Sequence, residues 1–325
     1  MKKVLGTSFL LLPAMIYAQS TAGITGKPDT SYTTYSAYTS TVINYPGIKM
    51  VNEIHSNSVA EKKNISYCTI NKRELKLDVF YPKQKNKTTR IAIVFIHGGG
   101  WRTGNRSQHY PLAQRLAGLG YVCITPEYRL STEALYPAAV HDIKSALRWV
   151  RKNARNYNID TAKIVVAGFS AGGELAAFMG ATNGKAEFEG ANCNLQYSSK
   201  VNAIVDIDGI LAFIHPESGE GDDSKRISAA TNWFGYSKTE NPDLWKQASS
   251  LTHAGPHTPP TLFLNSSAER MHAGREDYIK ILDRYHIYTE VKTFESAPHS
   301  FCLFDPWFEP TLKDIDEFLE KVFKK

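Results

Sequence analysis

The sequence predicts an α/β fold: a mostly parallel central sheet with helices on both faces and an antiparallel hairpin at its N-terminal edge. Three observations carry this. Apolar runs that do not alternate, such as Ile91-Ala92-Ile93-Val94-Phe95-Ile96, recur along the chain. Segments of helical period separate them, as expected when parallel strands buried on both faces alternate with covering helices. Ahead of them, residues 66–70 and 75–80 alternate apolar with polar around Asn71-Lys72-Arg73, the pattern of a half-buried hairpin.

The elements follow in order. Lys2 and Lys3, an apolar run over 4–16 and Tyr17-Ala18 before Gln19 read as a cleavable export signal at 1–18. The run is shorter than the ~20 residues of a membrane span and no second one follows, so a periplasmic or secreted protein without membrane insertion is expected. No Cys follows the cut, which gives no sign of a lipid anchor. Residues 19–64 form an N-terminal arm, whose Ser-, Thr- and Tyr-rich part at 20–41 is expected to be extended or a lead-in strand. The domain proper occupies 65–325. Its strands are expected at 91–96, 121–125, 164–167, 201–205, 261–264 and 289–294. Val140, Ile143, Leu147 and Val150 have helical spacing after Pro137, and Leu312, Ile315, Leu319 and Val322 mark a terminal helix. Residues 210–257 break the rhythm and are expected to be a lid-like insertion.

A chain of 325 residues, 42% hydrophobic and 22% charged, suits one large globular core. The net charge of +6 comes from scattered Lys and Arg, with no basic tract interleaved with aromatics, so nucleic acid is not an expected partner. The four cysteines, Cys68, Cys123, Cys193 and Cys302, lack zinc spacing. Cys68 and Cys123 sit in apolar strand runs and are expected to be buried thiols; any bridge is left open.

Gly168-Phe169-Ser170-Ala171-Gly172 follows an apolar strand and precedes the helical run Glu174-Leu175-Ala176-Ala177-Phe178-Met179. This is G-x-S-x-G in strand–turn–helix context, where glycines let neighbouring backbone crowd a strained serine. His97-Gly98-Gly99-Gly100-Trp101 follows another strand, and bare glycines there can turn N–H groups toward an oxyanion. Gly98, Gly99 and the N–H of Ala171 are the candidate donors. The run fits neither G-x-G-x-x-G nor the P-loop, and His97 is expected to be structural. His299, after the last expected strand, is the candidate base, with His272 and His286 as rivals beside a helix. Chain order places the acid between serine and histidine. Glu269 follows the strand at 261–264 and is the first candidate for the acid; Asp208, Asp206, Glu276 and Asp277 are alternatives.

Together HGGGW, GFSAGG, Tyr136-Pro137-Ala138-Ala139-Val140-His141-Asp142 and Arg148-Trp149-Val150 resemble the α/β-hydrolase esterases of the hormone-sensitive-lipase and feruloyl-esterase-like branch, from about residue 75 onward. The resemblance implies a Ser-acid-His triad with no metal and no cofactor, and supports Ser170, His299, Gly98, Gly99 and Ala171. The chain departs from that branch in having Asn265-Ser266-Ser267-Ala268-Glu269 where His-Gly-x-x-Asp is usual. Asp29-Thr30-Ser31-Tyr32-Thr33, His272-Ala273-Gly274-Arg275 and Pro298-His299-Ser300-Phe301 with Pro306-Trp307-Phe308 look like exported bacterial esterases associated with pectin breakdown.

A polysaccharide or small ester is the expected substrate; the oligomeric state is left open. Arg270, Arg275, Arg102 and Arg106 are candidates to pair with a uronate carboxylate, and Trp101, Trp233 and Trp245 to stack on sugars. A serine peptidase of the same fold and a catalytically silent glycan-binding relative are the competing readings.

Overall fold

A computed structural model describes residues 18–84 and 88–323. The expected export signal therefore lies, but for Ala18, outside the described residues. Among the described residues no helix is long and apolar enough to cross a membrane.

The first described segment is not wholly extended. Thr33 caps helix α1 (Thr34–Thr41) by accepting the Ser36 N–H, so hydroxyl-rich sequence that lacks apolar period still starts a helix. A short strand β1 (Lys49–Met50) follows. The hairpin is β2 (Val59–Ile70) with β3 (Arg73–Pro82), so the sheet begins within the segment expected to be arm. Then come β4 (Arg90–Ile96), α2 (Tyr110–Gly118), β5 (Val122–Pro126), α3 (Ala138–Lys152), α4 (Ala154–Tyr157), β6 (Ile159–Phe169), α5 (Ala171–Ala181) and β7 (Ala203–Ile207). The insertion holds α6 (Ala229–Phe234), α7 (Pro242–Gln247) and α8 (Ser250–His253). The chain closes with β8 (Thr261–Asn265), α9 (Arg275–Arg284), β9 (Thr289–Thr293), β10 (Phe304–Asp305) and α10 (Phe308–Phe323).

The main sheet has the order β2-β3-β5-β4-β6-β7-β8-β9, antiparallel from β2 to β5 and parallel from there on. Its inner strands, β4 to β8, are largely apolar where both faces are covered, whereas the edge strands β2 and β9 carry exposed charged residues. In β4, Val94 and Ile96 join Val140 and Leu147 of α3 and Leu175 of α5 in one core, whereas Ile93 and Phe95 join Leu112 and Leu116 of α2 and Ile315 and Phe318 of α10 in the other. This is the α/β-hydrolase fold that the resemblance implied.

Cys68 is bonded to Cys193 (Cα–Cα 5.5 Å), which corrects its expected free state. The bridge pins β2 to the loop beyond α5 across 125 residues, a proximity that local apolar pattern cannot reveal. Cys123 and Cys302 are buried free thiols.

Candidate active site

The site lies at the carboxyl ends of adjacent parallel strands, the usual place for function in such sheets. Phe169 of β6 pairs in register with Ile207 of β7, and β7 with β8, so Ser170, Asp208 and Ser266 follow three neighbouring strand ends. The Ser170 N–H donates to the Ile207 carbonyl at 2.8 Å and the Asp208 N–H to the Leu264 carbonyl at 2.9 Å, which ties the three ends together.

Ser170 has φ 58° and ψ −121°, a strained backbone that turns the chain from β6 into α5. Crowding explains the flanking glycines. A Cβ on Gly168 would stand 2.0 Å from the Gly172 carbonyl oxygen, and one on Gly172 would stand 2.1 Å from that of Ile96. No side chain fits at either place.

His299 arrives on the loop after the edge strand β9. Its Nε2 lies 2.8 Å from Ser170 Oγ and its Nδ1 lies 2.8 Å from Asp208 Oδ2. Asp208 is fully buried, and its carboxylate also accepts the Ser266 N–H at 2.8 Å and the Ser266 hydroxyl. Burial pushes its pKa up, but His272 (3.7 Å away), His299 and Ser266 outweigh that and hold it well below the usual carboxylate range. Hydroxyl, imidazole and ionised carboxylate thus form one hydrogen-bonded chain, an arrangement able to draw a proton from the serine.

Glu269 is not the partner of His299. It stands exposed at the start of a 3-10 turn, whereas the carboxylate on His299 comes from the end of β7, one strand earlier than expected. Asp206 is buried behind the site, its Oδ1 accepting the Gly209 N–H at 2.8 Å. Glu276 and Asp277 lie exposed on α9. His272 contacts the site indirectly, its Nε2 2.9 Å from the Ser266 carbonyl.

The glycine loop is offset by one residue from expectation. The Gly98 N–H donates to buried Gln108 Oε1 at 2.8 Å and is not free for an oxyanion. Gly99 and Gly100 line the cavity beside Ser170 and His299, and among the described residues their N–H groups donate to no protein acceptor. Ala171, also on the cavity, opens α5 and carries one of the N–H groups that a helix start leaves unpaired. His97 is buried and stacked on Tyr128, and burial pushes its pKa down to about 4, so it is a neutral structural residue as expected.

The cavity holds about 610 Å³ and takes one wall from the insertion, through residues including Glu220, Asp222 and Arg226. Arg102 and Arg270 also line it, and Arg270 Nη1 is 3.7 Å from Glu220 Oε1. Arg226 and Glu220 had no local signal in the sequence, because only the folded insertion brings them to the serine. Two arginines fall elsewhere. Arg275 donates to Asn265 Oδ1 and pairs with Glu276, and Arg106 pairs with Asp78 and Glu127. The tryptophans are core rather than sugar platforms: Trp233 and Trp245 are fully buried, and Trp101, though beside the cavity, stacks on Trp233 at 4.8 Å. Trp101 Nε1 donates to Glu174 Oε2 at 3.0 Å, joining the glycine loop to the first turn of α5.

Known proteins resemble this chain in sequence and in fold. Esterase LipC of Mycobacterium tuberculosis is 29% identical over 196 residues, 59% of this chain and 48% of that protein. Carboxylesterase NlhH of the same organism is 35% identical over 120 residues, 37% of each chain. The chain thus spans about half or less of these curated relatives. Among solved structures, a truncated carbohydrate esterase from gut microbiota superposes with a TM-score of 0.69 at 24% identity, covering 82% of this chain and 99% of its own. A thermophilic esterase of Thermogutta terrifontis with butyrate bound gives a TM-score of 0.66 at 26% identity, over 82% of this chain and 95% of its own. The BD-FAE family profile matches residues 77–272, more than half of the chain. On fold, motifs and that match, the chain belongs to the BD-FAE family.

Proposed function

We propose that the chain is an exported carboxylic ester hydrolase that works through an acyl-enzyme on Ser170, with plant cell-wall polysaccharide carrying pectic methyl or acetyl esters as substrate. The chain of 2.8 Å contacts from Ser170 through His299 to Asp208, opening onto a cavity, carries the reading. His299 Nε2 takes the serine proton as Oγ attacks the ester carbonyl; Asp208 keeps Nδ1 protonated and balances the imidazolium. The N–H groups of Gly99, Gly100 and Ala171 receive the oxyanion, a contribution of roughly 10²–10³ in rate per donor. The imidazolium then protonates the departing alkoxide, and water repeats the sequence to release the acid.

The similar proteins named esterases, and the structures of Thermogutta terrifontis esterase 2 with propionate or butyrate bound or phosphorylated by paraoxon, support ester chemistry with a small acyl group. The pectic choice is supported by Arg102, Arg226 and Arg270 around the cavity, since guanidinium pairs well with a uronate carboxylate. A panel of acetyl, feruloyl and methyl-galacturonate esters, each run beside Ser170→Ala, tests it. Turnover of a pectic ester that vanishes in a normally folded Ser170→Ala supports the reading. Turnover that survives the substitution removes Ser170 from the mechanism, and hydrolysis of feruloyl esters alone removes the pectic assignment.

A further inference from the structure

The stretch before β2 lies outside the segment shared with the family, yet it grips both loops that frame the serine. At one end, Asp29 pairs with Thr103 in an isolated parallel bridge, and the Gly104 N–H donates to the Asp29 carbonyl at 3.1 Å. The Thr103 hydroxyl lies 3.3 Å from Asp29 Oδ1 as donor and accepts the Tyr32 N–H at 3.0 Å. Asp29 Oδ1 also accepts the Ser31 N–H at 2.9 Å. At the other end, Thr41 Oγ1 lies 3.2 Å from Ser300 Oγ, next to His299, and β1 pairs with β10 just beyond that loop.

Thr103 is coupled directly to the oxyanion loop. Its N–H donates to the Gly99 carbonyl at 3.0 Å, closing the loop into a turn. Its own carbonyl presses so closely on Gly99 that a Cβ there would lie 2.1 Å from the oxygen. Thr103 and Gly99 thus meet through a main-chain hydrogen bond and a close backbone approach. Within the same turn the Gly99 carbonyl also accepts the Arg102 N–H at 3.2 Å, whereas ties to other elements, such as Gly98 to Gln108 and Trp101 to Glu174, hold positions on either side of Gly99.

We propose that Asp29 and Thr103 are positioning residues for the oxyanion turn that carries the Gly99 and Gly100 N–H groups, through which the N-terminal arm holds those donors in register with Ser170. The inference rests on the esterase reading. A carboxylate accepting from a hydroxyl and a main-chain N–H makes charge-assisted bonds, stronger than neutral ones, and loop geometry is where such strength affects rate.

The test is steady-state kinetics of the mature chain on p-nitrophenyl acetate, with the rate of Ser170 phosphorylation by paraoxon as second readout. Asp29→Ala and Thr103→Val are expected to lower kcat about tenfold, less than the 10²–10³ of losing a donor outright, with KM within about twofold. Phosphorylation slows in parallel. Asp29→Asn and Thr103→Ser keep the acceptor and the hydroxyl and are expected to restore most of the rate. Wild-type kcat in both Asp29→Ala and Thr103→Val overturns the proposal, as does a loss confined to KM or a failure of the conservative variants to rescue. If Asp29→Ala does not fold, the near-isosteric Thr103→Val decides alone. A wild-type chain that turns over no ester and resists phosphorylation overturns the esterase reading itself, and the positioning role with it.

Discussion

His299 Nδ1 sits 2.8 Å from Asp208 Oδ2 across 91 residues of sequence, and Asp208 is held in place by both the N–H and the hydroxyl of Ser266. The departing Asn265-Ser266 sequence, which lacks the usual family pattern, thus supplies a clamp for an acid that comes from the neighbouring strand.

Asp208→Asn is expected to reduce kcat by about 10⁴, because an amide in that place favours the wrong imidazole tautomer. Glu269→Gln, exposed and remote from the imidazole, is expected to stay within about twofold of wild type. The two measured side by side on one aryl ester decide the matter; a large loss in Glu269→Gln with Asp208→Asn unharmed overturns the assignment.

What was legible in the sequence was whatever is encoded locally. Gly168 to Gly172 announce the elbow because a tight strand-to-helix turn leaves no room for side chains, and the buried strands announce themselves by unbroken apolar runs. Asp208 was visible only as an alternative, since strand ends align through sheet register and not through spacing along the chain. The same holds for Gly100, where three equivalent glycines hide which N–H is already taken by Gln108. The indoles of Trp233 and Trp245 read equally well as platforms or core, and only the fold of the insertion buries them.

Reducing the Cys68–Cys193 bridge is expected to cost stability but little activity, since it ties down β2, the edge strand opposite the β9 edge after which His299 follows. Loop-closure entropy for a closed loop of 125 residues gives about 4–5 kcal/mol, within the roughly 2–5 kcal/mol typical of native bridges. Urea unfolding of Cys68→Ser/Cys193→Ser checks this. A midpoint equal to wild type, or one that falls further on adding reductant, contradicts it, because the remaining Cys123 and Cys302 are unbridged.

Glu174 is buried in the first turn of α5 with Oε1 unpartnered among the described residues, and burial above all, with nearby Asp206, pushes its pKa well up. The sign follows directly. The folded chain keeps this proton where the unfolded chain, titrating near 4.3, has lost it, so folding stability falls as pH rises above about 4. Glu174→Gln removes that slope while leaving an acceptor for the Trp101 indole. The difference in Tm between Glu174→Gln and wild type is expected to move in favour of the variant from pH 5 to pH 8. A difference that stays constant over this range rules out a buried, proton-holding Glu174.

Arg270 and Arg226 border the cavity on exposed stems, so their charges meet water until a substrate displaces it. An exposed ion pair is worth little, and the 3.7 Å approach of Arg270 to Glu220 does not commit the guanidinium. A uronate carboxylate offers a bidentate partner instead. Arg270→Ala and Arg226→Ala are therefore expected to raise KM for a partly methylated oligogalacturonide, whose unesterified residues keep their carboxylates, several-fold more than KM for p-nitrophenyl acetate, with the excess shrinking at high salt as the Debye length shortens to about 3 Å near 1 M. Equal effects on the charged and neutral esters would mean that these arginines shape the cavity without reading charge, and the substrate would then be a neutral glycan ester.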